Sequence, residues 1–146
     1  MNFHVYTDGS CKGNPGKGGY AYIVYDDFGE VWINGHGSEL ESTNNKMEIT
    51  AAIEALKKIK ELYQNYIITL YSDSAYLVNC FNDDWINRWK KNGWKTHRKE
   101  DVLNKELWET LYNLVKETHA IFERVSRKDS RIREVDKMAK MATKGL

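Results

Sequence analysis

A chain of 146 residues with 41% hydrophobic and 29% charged content has the size and balance of one globular domain with one substantial core, which excludes a disordered polypeptide. A formal net charge of +1 points to no partner by itself, so the distribution of charge has to carry that information. No apolar run approaches the roughly 20 residues of a membrane span, and Met1-Asn2-Phe3-His4 does not begin a secretory leader; the expectation is a single soluble cytoplasmic domain over 1–146, not membrane-bound, with Cys11 and Cys80 as reduced thiols.

In chain order, Phe3, Val5 and Tyr6 predict a buried strand that ends at Asp8 and runs into a flexible glycine-rich turn reaching Gly19. Tyr20–Tyr25 and Glu30–Gly37 read as two further strands around a hairpin turn at Asp26–Gly29, giving three antiparallel strands. From Thr43 to Tyr63, Met47, Ala51, Ala52, Ala55, Leu56, Ile59 and Leu62 recur at helical spacing, with Thr43 or Asn44 available as N-cap. Tyr66–Tyr71 is nearly continuously apolar, as in a strand with parallel neighbours and both faces covered. A short helix over Ala75–Phe81, a tryptophan-rich basic segment, a helix over Leu103–Thr118, a strand over Ala120–Val125 and a helix ending near Thr143 complete the pattern.

Asp8 and Asp73 each follow an apolar strand, where open α/β sheets place ligand sites, although either alone could simply cap a turn. On a helical wheel Glu48 falls near the centre of the apolar arc, with Thr50, Glu54, Lys57, Lys58 and Glu61 opposite, so its carboxylate points at the sheet. A buried glutamate needs a cation or stays protonated; the alternative is a first-turn glutamate reaching solvent. Asp136 lies at the edge of a stripe formed by Val135, Ala139 and Ala142, and could equally form a surface ion pair with Lys140. Four carboxylates without a histidine or cysteine cluster suit a hard divalent cation, Mg²⁺ first and Mn²⁺ second. Two such ions are a device for phosphoryl transfer, which implies a phosphodiester substrate.

The segment Trp85–Lys99 interleaves three tryptophans with Arg88, Lys90, Lys91, Lys95, Arg98 and Lys99 and holds no acid, a pattern that suits nucleic acid, or else a helix with core tryptophans and solvated lysines. Thr43, Asn44 and Asn45 at a helix N-terminus can cap the helix or hold a backbone phosphate.

Four motifs in order, Tyr6-Thr7-Asp8-Gly9-Ser10-Cys11 with Gly13-Asn14-Pro15-Gly16, Thr43-Asn44-Asn45-Lys46-Met47-Glu48, Ser72-Asp73-Ser74, and Trp85-Ile86 with Trp89-Lys90-Lys91 and Gly93-Trp94-Lys95, closely resemble bacterial type 1 ribonuclease H. The resemblance implies an α/β fold built on a five-stranded mixed sheet flanked by helices, and a monomeric endonuclease that cuts the RNA strand of RNA–DNA hybrids to leave 3′-hydroxyl and 5′-phosphate ends. It places Asp8, Glu48, Asp73 and Asp136 as the catalytic, metal-binding carboxylates for two Mg²⁺ ions. It places Asn14, Asn44 and Asn45 against the hybrid, Thr43 against a DNA phosphate, and Trp85 with Lys90, Lys91 and Lys95 in a basic protrusion.

The C-terminal quarter departs from that pattern. Val125 is followed by Ser126-Arg127-Lys128-Asp129-Ser130-Arg131, shorter than the family's loop and without its histidine; His119 reads as an ordinary helix-end residue. Either Lys128 or Arg127 takes over part of the missing electrostatic role, or no residue does. Two rival readings share these features: a hybrid-binding module with weakened catalysis, and a nuclease of the same fold with broader duplex specificity.

Overall fold

The computed structural model describes residues 1–145. Five strands, β1 (Asn2–Gly13), β2 (Gly16–Tyr25), β3 (Val31–Ser42), β4 (Ile67–Ser72) and β5 (Ile121–Arg124), form one mixed sheet in the order β3-β2-β1-β4-β5. β1, β2 and β3 pair antiparallel as the hairpin signals predict, and β4 joins β1, and β5 joins β4, in parallel. The helices are α1 (Asn44–Leu62), α2 (Ala75–Asn82), α3 (Trp85–Asn92), α4 (Lys105–Thr118) and α5 (Ser130–Thr143).

The strand alternation of side chains sorts the core into two layers. Phe3, Val5, Tyr22, Val24, Ile68 and Leu70 face α1 and its neighbours, and this main core extends through Trp108 of α4. Tyr6 and Ile23 point to the other face, where Ile132 and Val135 of α5 cover them. α1 packs on the sheet and also against α4, which buries Ile49 and Ile53 beyond the predicted arc. Leu62, expected on that arc, is 50% exposed because it is the last residue of the helix.

Asp8 corrects the sequence reading. It lies within β1, opposite Ala21 of β2, and the strand pair runs on to Gly13 and Gly16 instead of dissolving into a flexible turn. The glycines there serve close packing: a Cβ on Gly19 would lie 2.2 Å from the carbonyl oxygen of Ala139, so only glycine lets α5 approach. What does end near Asp8 is the other seam. β1 and β4 last pair at Tyr6 and Tyr71, which leaves β1 an open edge from Thr7 onward.

Candidate functional site

At that open edge three elements deliver carboxylates. Asp8 points from β1, Glu48 from the first turns of α1, and Asp73 from the residue that follows β4. Asp8 is 4% and Glu48 9% exposed, whereas Asp73 is half-buried. One carboxylate oxygen from each lies within 4.8 Å of the other two. The wheel reading of Glu48 therefore describes its actual direction, and the strand-end position of Asp73 its actual place.

Two hydrogen bonds from outside the carboxylate cluster hold Glu48. The main-chain N–H of Gly9 donates to its Oε1 at 2.9 Å, and the buried hydroxyl of Ser72 donates to its Oε2 at 3.4 Å. Ser72 Oγ in turn accepts from the N–H of Ser74 at 3.0 Å, and Ser74 caps α2 by accepting from Leu77 N–H. A Cβ on Gly9 would stand 2.5 Å from the backbone nitrogen of Glu48, so the missing side chain is what brings α1 close enough for this contact. Gly9 and Ser72 were not singled out by the sequence reading as site residues; a glycine directly after one carboxylate and a small hydroxyl directly before another were the available signals.

Asp136, on α5, stands beside this trio and shares a hydrogen bond with Asp8. Its Oδ2 also accepts from Lys140 Nζ at 2.9 Å, so the ion pair and the place in the cleft coexist. A cleft of about 500 Å³ holds all four carboxylates, together with Asn44, Asn45, Arg127 and Lys140 among its walls.

Crowded, desolvated acids resist ionisation. Burial, then the charge of Glu48, push the Asp8 carboxyl far above the usual carboxylate range. Burial also raises Glu48, against the opposing hydrogen bonds from Asp8 and Gly9. Asp73 is raised by burial despite the favourable charge of Arg127. Burial acts on Asp136 as well, but its hydrogen bonds to Asp8 and Lys140 outweigh it and hold that carboxyl below the usual range. Such a cluster either shares protons or takes a cation, and an all-oxygen donor set fits a hard divalent ion. The thiol of Cys11, which borders the cleft, is no competitor for it: Sγ donates to the carbonyls of Gly16 and Ser42 at 3.4 and 3.3 Å.

The predicted substrate-binding residues divide into two groups. Asn14 Oδ1 accepts from Asn44 N–H at 3.1 Å, and Thr43 Oγ1 accepts from Lys46 N–H at 3.2 Å as the N-cap of α1, so Asn14, Thr43, Asn44 and Asn45 gather on the rim of the carboxylate cleft. Trp85, Lys90, Lys91 and Lys95 lie on or just after α3 and border no part of it. Trp85 packs on Tyr76, and Trp89 on Trp108, with ring centroids 5.7 and 6.0 Å apart, so these partly buried tryptophans pack against the main core. Lys90 Nζ sits 4.0 Å from the Tyr112 ring centroid, and Lys95 pairs with Asp101. Lys91 is exposed.

The loop between β5 and α5 ends at Asp129, whose Oδ1 accepts from the N–H groups of Arg131 and Ile132 and caps α5. Of the two loop cations, Arg127 reaches the carboxylate cleft and Lys128 does not border it. His119 is the C-cap of α4, at a left-handed φ of 57°, as expected of a helix-end residue.

The family model described as RNase H matches residues 1–144. A protein of Acetivibrio thermocellus named Ribonuclease H is 52% identical over 110 residues, 75% of this chain and 71% of that protein. A second, from Caldicellulosiruptor saccharolyticus and of the same name, is 45% identical over 122 residues, 83% of this chain and 80% of that one. Among solved structures, LC11-RNase H1 in complex with an RNA/DNA hybrid superposes with a TM-score of 0.80 at 21% identity, over 99% of this chain and 98% of that one, a likeness of fold.

Proposed function

The chain belongs to the ribonuclease H family, and from that premise we propose that it is a divalent-metal-dependent endoribonuclease that hydrolyses the RNA strand of RNA–DNA hybrids, with Asp8, Glu48, Asp73 and Asp136 as the metal-holding carboxylates. The observation that carries this reading is the convergence of Asp8, Glu48 and Asp73 within 4.8 Å at the open edge of β1. Three buried or half-buried acids facing one point, with like charges raising one another, are accounted for by a cation between them.

Mg²⁺, as two ions with Mn²⁺ able to substitute, is the cofactor this reading assigns; when bound it supplies the positive charge that activates water and stabilises the leaving oxygen. The chain's own residues hold and orient. Gly9 and Ser72 keep both oxygens of Glu48 engaged, which fixes the angle at which α1 presents it. Asp136, half-buried and drawn to Lys140, is the member whose partner must be exchanged for a metal. Asn14, Asn44 and Asn45 on the rim offer amides to 2′-hydroxyls, the groups that mark RNA, and Thr43 at the helix start suits a phosphate of the DNA strand. Lys90, Lys91 and Lys95 on and just after α3, together with Trp85, provide a second contact on the DNA strand. Water is the nucleophile, and cleavage leaves 3′-hydroxyl and 5′-phosphate ends.

Residues 1–146 act on this reading as one monomeric ribonuclease H domain. A cytoplasmic location fits two free thiols, and no helix among the described residues is long and apolar enough to cross a membrane. The test is cleavage of end-labelled RNA–DNA, RNA–RNA and DNA–DNA duplexes in Mg²⁺ and in Mn²⁺. Only the hybrid should be cut, on its RNA strand. Cutting of all three would favour the broader nuclease, and binding without cutting would favour the weakened module.

A further inference from the structure

Next to the carboxylate cleft lies another open cavity, of about 490 Å³, bounded by Asp73, Arg124, Val125, Ser126 and Arg127. Arg127 borders both, so one guanidinium-bearing residue is common to the two spaces. Arg124 is the last residue of β5 and stands in register with Ser72, the residue immediately before Asp73. The N–H of Val125 donates to the Ser72 carbonyl at 3.0 Å, continuing that ladder. Arg124 is therefore anchored to the strand end beside a site carboxylate, and Arg127 follows three residues later on the short loop that leads to α5.

Their pairing state differs from that of several other cations. Lys140 is paired with Asp136, Lys46 with Glu39 and Lys95 with Asp101. Among the described residues, Arg124 and Arg127 form no ion pair; their influence on Asp73 is long-range, favouring its ionised form. Both are exposed. Two unpaired guanidinium groups facing one cavity form a fork suited to phosphate oxygens, which arginine binds in bidentate fashion.

We propose that this cavity is an anion subsite in which Arg124 and Arg127 hold a backbone phosphate of the RNA strand next to the one being cleaved. The proposal rests on the reading that the carboxylate cleft takes an RNA–DNA hybrid: a strand whose scissile phosphate lies over Asp8, Glu48 and Asp73 and which continues past Asp73 brings its neighbouring phosphate to Arg127 and Arg124. Arg127 then has a positioning role on the cleaved strand, distinct from any acid–base part, and the protein gains a phosphate contact where the family's histidine loop is missing.

The test uses the full chain carrying Asp8→Asn, so that hybrid binding is read without cleavage, by fluorescence anisotropy across a range of salt concentrations. Arg124→Ala and Arg127→Ala should each weaken binding roughly tenfold and lower the slope of log K against log salt by about 1, while Arg127→Lys keeps part of both. Lys128→Ala, on the same loop but outside both cavities, should leave both close to the parent. Hybrids with a single methylphosphonate stepped along the RNA strand identify the contact. One position flanking the cleaved bond should weaken binding to the parent and cost the Arg124→Ala and Arg127→Ala proteins nothing further. Unchanged affinity and slope in both alanine variants, or losses spread evenly over all methylphosphonate positions, would overturn the subsite. Displacement of the hybrid by millimolar inorganic phosphate with no methylphosphonate effect would mark a site for free phosphate and overturn it too. Failure of the wild-type protein to cut hybrids would instead remove the functional reading, a result these binding experiments keep separate.

Discussion

The N–H of Gly9 donates to Oε1 of Glu48 across 2.9 Å, and this single bond joins the strand that carries Asp8 to the helix that carries the second carboxylate. A methyl group at position 9 would meet backbone atoms of Met47 and Glu48 at 2.5 Å. Gly9→Ala should therefore force β1 and α1 apart, with an overpacking cost of about 1–3 kcal/mol. Thermal melting gives the stability loss, and calorimetric titration with Mg²⁺ should show weakened binding. Undiminished metal affinity would show that the spacing of β1 and α1 does not set the geometry of Glu48.

Asp8→Asn removes the most strongly perturbed carboxyl of the cluster. Hybrid cleavage should fall by at least about a hundredfold, with hybrid binding retained. In chelator near neutral pH the same protein should melt at a higher temperature than the wild type, because asparagine is neutral without the proton that burial forces Asp8 to take up on folding. An active Asp8→Asn protein would sink the catalytic assignment.

The pH dependence of stability has a definite sign. Burial raises Glu48 to about 7, so the folded chain keeps a proton that the unfolded chain releases near its ordinary value of about 4.5. That contribution is fully present below the unfolded value and is lost as pH rises through the folded one. In chelator the melting temperature should thus decline over about pH 4.5 to 7, and saturating Mg²⁺ should flatten or reverse the decline by favouring the ionised form. A metal-free melting temperature that climbs across this window would contradict the burial argument.

Asp26 predicts the opposite sign at a distance from the cleft. Its carboxylate accepts from Trp32 Nε1 at 3.0 Å, from Phe28 N–H at 2.8 Å and from Glu30 N–H at 3.0 Å, and these bonds, that from Trp32 foremost, lower it below the usual range. Its stabilising effect is present above the ordinary carboxylate value and lost as pH falls through the depressed one. Asp26→Ala should lower the melting temperature by several degrees near neutral pH while leaving kcat on hybrids unchanged.

Glu48 was legible in the sequence because helical periodicity is local: its neighbours at three and four residues already state which way it points. Asp73 was legible because an apolar run stops just before it. Asp8 was legible as one of several converging carboxylates but was misplaced in the fold, since glycines at 9, 13, 16, 18 and 19 have the composition of a turn, and only the approach of α1 and α5 explains why they extend a strand pair. The polar stretch Ser38–Ser42 hid the second half of β3 in the same way, because an edge strand facing water has few apolar residues to announce it. Asp136 depended on how α5 lies on the sheet, and the pairing of Arg124 with Ser72 depended on strand register; neither is encoded in any short window.

The sheet order β3-β2-β1-β4-β5 sets strands made first beside a helix made last, for α5 docks on β1 and β2. Synthesis therefore completes the site in stages. A nascent chain that has emerged only through β5 possesses Asp8, Glu48 and Asp73 but neither the fourth carboxylate nor the cover over Tyr6 and Ile23. On the assignment made above, the four-carboxylate cleft is complete only once α5 has left the ribosome and closed the open face of the sheet.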